Sequence, residues 1–133
     1  MKIRAIVALL LSGTLLIGAP VGSAFAHVFV DDTSLSLNVS DRNINSGDQV
    51  FFTGRLSAEH ATCRSGRVVR LYRNGVRVAT TTTSRTGFYR FKRTIFSTAT
   101  WQVRFAGAVG GTHPHSHTCE RSGSRRITIQ VHD

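Results

Sequence analysis

The chain has 133 residues, with 17 Lys and Arg against seven Asp and Glu, a formal net charge of +10 and two cysteines. Such a length supports one domain with a single core, and two cysteines exclude a four-Cys zinc site. A balance this basic points to anionic partners: nucleic acid, acidic polysaccharide, wall polymers or anionic lipid. A genome rich in arginine codons yields the same excess without any such partner.

The first predicted element is a targeting segment. Lys2 and Arg4 precede an apolar run over residues 5–22, and Ala24-Phe25-Ala26 supplies a small-x-small cleavage site. Gly13, Gly18, Pro20 and Gly22 interrupt the run, which argues against an uncleaved membrane anchor. Residues 1–26 therefore read as a cleaved signal peptide and 27–133 as the mature domain. The expectation is a secreted, extracellular protein with no membrane span in its mature form. Without Lys2 and Arg4 the 17 basic residues fall to 15, fourteen of them Arg, and the net charge to +8.

Period-two alternation then governs the chain. Leu35, Leu37 and Val39 share one face of a strand over 34–40, and Val50, Phe52, Gly54 and Leu56 one face over 48–56. Strands follow at 67–73 and 76–83, joined by Asn74-Gly75, the strongest short hairpin signal. Tyr89, Phe91 and Ile95 mark a strand over 87–95, Trp101, Val103 and Phe105 one over 100–106, and Ile127, Ile129 and Val131 one over 124–131. Turn residues separate the runs at Asn45-Ser46-Gly47, Thr86-Gly87 and Gly110-Gly111, and no segment of the mature chain keeps a helical period. The spacing predicts an all-β sandwich of about seven antiparallel strands.

The hairpin register places Arg73 opposite Val76, Tyr72 opposite Arg77 and Leu71 opposite Val78. Val69, Leu71, Val76 and Val78 are then expected inside, and Arg70, Tyr72 and Arg77 outside. Most arginines of the 63–93 stretch thus fall outward because strands alternate, which removes any special claim to nucleic-acid binding. In an exported domain Cys63 and Cys119 are expected to form a structural disulfide. The chain-entropy model credits such a bridge with about 4 kcal/mol.

The segments SGDQVFFTGRL, RVVRLYRNGVRVATTTTSRTGFYRF and TATWQVRFAG resemble bacterial secreted Ig-like domains of the actinobacterial type. TTTTSRTGFYRF is also similar to transthyretin-like and carboxypeptidase-regulatory-like sandwiches. The resemblance covers Leu35 to Val131 and implies a Greek-key Ig-like sandwich acting as an adhesive or spacer module. In Ig strand order the loops holding Cys63 and Cys119 lie at the same end, as a bridge requires. That order also puts Arg70, Tyr72, Arg77, Arg104 and Arg126 on the outer face of one sheet, a candidate anion-binding face. Phe88, Arg90 and Lys92 are expected on the outer face of the other.

The cysteine end also gathers histidines: His60 in one loop, His113, His115 and His117 in the other, with His27 expected nearby. Alternate residues of an extended segment project to one side, and imidazole suits copper or zinc. These five are the candidate metal ligands, although loop histidines more often simply face solvent. Glu59 and Glu120 are a candidate acid pair across the bridged loops, as in glycoside hydrolysis, but a domain this small has little room for a deep cleft and exposed loop glutamates are commonplace. No G-x-S-x-G elbow, phosphate-cradling glycine loop or Cys–His nucleophile occurs. The leading expectation is a secreted, non-catalytic Ig-like binding or structural module without a cofactor, contacting an anionic polymer or another surface protein. The alternative is a small exported Cu- or Zn-binding protein.

Overall fold

Strands whose apolar residues recur at every second position must pair those faces, and in this chain they do so as two packed sheets. A computed structural model describes residues 28–112 and 115–133; the signal-peptide assignment, His27 and His113 lie outside the described residues. The strands are β1 (Val28–Asp31), β2 (Thr33–Leu35), β3 (Asn38–Val39), β4 (Asn43–Asn45) and β5 (Asp48–Ala58). A 3₁₀ turn at Ala61–Cys63 leads to β6 (Val68–Arg73), β7 (Val76–Thr82), β8 (Phe88–Ile95) and β9 (Ala99–Phe105). The chain ends with β10 (Ala108–Thr112), β11 (His115–Cys119), β12 (Ser122–Gly123) and β13 (Ile127–His132).

One sheet runs β4-β13-β9-β6-β7, with β12 also on β9; the other joins β2, β3 and β8 to the long β5. Val50, Phe52, Leu56, Tyr89 and Phe91 from the second sheet meet Val69, Leu71, Trp101, Val103 and Ile129 from the first, all buried. Phe52 and Trp101 touch across the sheets with ring centroids 4.9 Å apart. The architecture is the expected all-β sandwich, and Cys63 and Cys119 are bonded with Cα atoms 5.4 Å apart.

Three features depart from the expectation. The Asn74-Gly75 turn has positive φ at both residues, as its type requires. A bulge between Leu71 and Tyr72, however, sets Leu71 opposite Ala79 rather than Val78. Val76, expected inside, sits at the hairpin tip beyond the core and is 66% exposed. The expected first strand is broken into β2 and β3, and the chain then crosses to run β4 parallel to β13, so pairing is not wholly antiparallel. Finally, residues 108–112 and 115–119 are strands: β10 and β11 pair, β1 adds in parallel, and Gly110-Gly111 lies inside β10 instead of forming a turn.

Gly54 shows how closely neighbouring strands of the β5 sheet approach. A Cβ there would lie 2.0 Å from the Ser36 carbonyl oxygen and 2.5 Å from the Tyr89 hydroxyl, which itself donates to that carbonyl. In an open strand Gly→Ala stabilises by about 0.5–1 kcal/mol, whereas an overpacked site costs about 1–3 kcal/mol. Gly54→Ala is therefore expected to lower stability by about 2 kcal/mol or more in urea denaturation of the oxidised protein. A gain in stability would refute the close approach.

Candidate functional site

The outer face of the β6–β9 sheet carries a shallow cleft of about 420 Å³ between Arg70, Tyr72, Gln102, Arg104, Arg121 and Gly123. A second depression of about 340 Å³ continues past Tyr72 and Arg104 toward Asn74 and Arg126. The register produces this cluster: Arg70 stands opposite Arg104 and Tyr72 opposite Gln102. Beyond Arg104, β12 pairs with the end of β9 and supplies the far wall.

Arg104 is held in place from two sides. Its guanidinium carbon sits 4.3 Å from the Tyr72 ring centroid, a cation–π geometry, and its Nε donates to Gln102 Oε1 at 2.9 Å. Gln102 is itself fixed, since its Nε2 donates to the Ser124 carbonyl at 2.8 Å. The terminal nitrogens of Arg104 therefore remain to receive an anion. Among the described residues, no arginine is ion-paired with a carboxylate. Among the described residues, no carboxylate or imidazole lines either depression.

The structure brings together four of the five residues expected on the anion-binding face: Arg70, Tyr72, Arg104 and Arg126. Arg77 faces Tyr72 across the hairpin but lies outside both depressions. Sequence reasoning missed Gln102 and Arg121. Gln102 alternates with the buried Trp101 and Val103, so the period that located Arg104 also locates it. Arg121 follows a segment without alternation and left no signal.

The disulfide end is a separate cluster. Asp31, at the end of β1, is buried and takes the His60 backbone N–H at 2.7 Å and the His60 ring at 2.6 Å, one on each oxygen. Burial raises the carboxyl's pKa, but the two His60 hydrogen bonds and the charges of His60 and His117 outweigh it, so the net shift is downward. The His60 ring stacks on Phe29 at 4.1 Å, and the His117 ring lies 5.5 Å from Phe29. Arg67 Nη2 is 3.2 Å from His117 Nε2; a guanidinium only donates, so this nitrogen accepts when the ring is neutral. Gly110 leaves the room for that ring, since a Cβ there would lie 2.6 Å from it.

Of the histidines read as metal ligands, His60 and His117 thus meet on Phe29 with one nitrogen each engaged, and His115 is exposed on the same strand as His117. The groups that converge most closely are Asp31, Glu59 and His60, whose donor atoms lie within 4.8 Å of one another. Glu120 is not among them; its backbone N–H donates to the Asp31 carbonyl.

No family model and no curated protein matches this chain. Among solved structures it is similar to the CARDB domain of a Pyrococcus furiosus protein. The crystal structure of that domain, in complex with di-metal ions, shares 11% identity over 76% of this chain and 93% of that one, with a TM-score of 0.45. Its solution NMR structure shares 10% identity over 77% and 95%, with a TM-score of 0.49. Among the described residues no helix is long and apolar enough to cross a membrane.

The lowered pKa of Asp31 fixes a pH dependence. A carboxyl held below its ordinary value of 3.8 contributes stability above that value and loses it as pH falls further. Asp31→Asn is expected to melt below the native protein at neutral pH, with the gap closing below about pH 4. A gap that stays constant from pH 7 to pH 3 would show that the charge contributes nothing.

Proposed function

We propose that the protein is an extracellular, non-catalytic binding module whose Arg–Tyr face holds an acidic carbohydrate polymer. The observation that carries this reading is the set of arginines around Tyr72. Arg70, Arg121 and Arg126 have no side-chain hydrogen-bond partner among the described residues, and Arg104 is immobilised with its fork free. Unpaired guanidinium groups on a rigid sheet suit repeated carboxylates or phosphates, which they bind bidentately. The exposed, uncharged stretch at Ala106 and Gly123 offers a surface for sugar rings. Arg104 already occupies the Tyr72 ring, so that ring is no stacking platform for the bases of a single strand. Export is supported by the N-terminal signal pattern and is compatible with the disulfide.

Polygalacturonate binding by the mature oxidised chain should reveal the face directly. Removing one charge-assisted contact costs about 1.5–3 kcal/mol, so Arg104→Gln is expected to weaken binding about tenfold or more. Tyr72→Ala should do the same by releasing Arg104, while Tyr72→Phe should bind normally. With about four ionic contacts, affinity is expected to drop roughly 50-fold between 50 and 200 mM salt. Duplex DNA bound more tightly than polyuronate at equal salt would overturn the carbohydrate assignment.

A second reading rests on the convergence of Asp31, Glu59 and His60, with His115 and His117 on the neighbouring strand: a Cu- or Zn-binding end. It requires calorimetric binding of Cu²⁺ or Zn²⁺ at micromolar or tighter affinity, lost on His60→Ala and weakening as histidines protonate. The polymer reading expects polyuronate binding to be unchanged by a chelator and by His60→Ala.

A further inference from the structure

The opposite face of the sandwich carries its own cations, set by different strands. On β5 and β8, Thr53 stands opposite Arg90, Phe51 opposite Lys92 and Arg55 opposite Phe88. These positions alternate with the buried Phe52, Leu56, Tyr89 and Phe91, so all of them point outward. Arg90 lies 4.2 Å from the Phe51 ring centroid and Arg55 5.2 Å from that of Phe88. Arg55 is further fixed by donating from Nε to the Thr86 carbonyl at 3.0 Å. The design of the groove thus recurs here: arginines laid on aromatic rings, with no carboxylate partner.

The acidic residues make the recurrence informative. All seven lie in β1, in connecting segments, at the first residue of β5 or at the C-terminal residue. None occupies an outward position in the body of either sheet. A surface that carries arginine for solubility alone intersperses both signs. Here the two broad faces are cationic and the negative charge is confined to edges and ends.

We infer that the protein is bivalent and bridges two chains of acidic polysaccharide, one on each face; this rests on the carbohydrate reading of the groove. Packed sheets lie about 10 Å apart, so with side chains the two faces are separated by roughly 20 Å and point in opposite directions. A short anionic oligomer seated on one face cannot reach the other. A long polymer on each face places the protein as a cross-link.

Two measurements on the mature oxidised chain test this. Calorimetry with a short oligogalacturonate should give two oligomers per chain for the native protein. It should give one for Arg55→Gln/Arg90→Gln/Lys92→Gln and one for Arg70→Gln/Arg104→Gln. Light scattering with long polygalacturonate should show networks that form at intermediate protein-to-polymer ratios and dissolve in excess protein. Both multiple variants should bind polymer without forming networks. Their melting temperatures should stay within a few degrees of native, since every substituted side chain is at least partly exposed.

One oligomer per native chain, lost only in the Arg70/Arg104 variant, would overturn bivalency and leave the groove reading standing. No oligomer on either face would overturn both. Networks that persist in the Arg55/Arg90/Lys92 variant would assign bridging to self-association instead. Networks formed with duplex DNA but not with polyuronate would replace the carbohydrate by nucleic acid.

Discussion

A side chain in a half-buried strand has no independent choice of direction: a residue committed to the core commits both its neighbours to water. This constraint organises the whole molecule. Trp101, Val103 and Phe105 face inward, so Gln102 and Arg104 face outward, beside Arg70 and Tyr72 of β6. The same rule on β5 and β8 lifts Phe51, Arg55, Arg90 and Lys92 away from Phe52, Tyr89 and Phe91. Burial of the core and presentation of the cations are thus one event. Any substitution that slips a strand by one residue destroys both together.

The ends of the sandwich follow a different logic, because alternation stops there and backbone groups need other partners. Asp31 takes on part of that task, bonding the His60 backbone and ring while its own carbonyl accepts from Glu120. The Cys63–Cys119 bridge fastens the same region, joining the 3₁₀ turn to β11 across 56 residues of chain. Removing Asp31 leaves the His60 N–H in a partly buried site without its acceptor. Histidines at this end therefore already have structural employment, which a metal has to displace or share. Within the Asp31, Glu59 and His60 cluster, Glu59 and the second nitrogen of His60 remain open to such an ion.

Where alternation operates, the chain was legible. The strand assignments, the two-sided distribution of arginine and the partnership of Cys63 with Cys119 all follow from it and from loop order. It was illegible where backbone pairing proceeds without apolar side chains. AVGGT and HSHTC carry no hydrophobic period, yet they pair as β10 and β11 because β1 and each other satisfy their backbones. β4 is short, with the buried Ile44 as its single apolar residue, too little for any period to show. The bulge at Leu71 is likewise silent in the sequence, since Val78 and Ala79 are both acceptable opposite a core leucine. Arg121 and Ser122 enter the cleft only because β12 pairs with β9.

Arginine on a surface is usually a costly ligand, because about 2 kcal/mol of rotamer freedom is lost when its fork is held. The two faces reduce that cost in the same way. Arg104 rests on Tyr72, Arg90 on Phe51 and Arg55 on Phe88, each fixed before any anion arrives. Around the Arg104 anchor stand arginines without fixed partners among the described residues, Arg70, Arg121 and Arg126, which on the proposed reading adapt to the spacing of successive charges. Pre-organised anchors set affinity by sparing ordering entropy, and mobile neighbours extend the contact at small individual gain. Such a division suits a repeating polymer better than a single small anion. A small anion is saturated by one fork, whereas a polymer meets every unpaired guanidinium along the face.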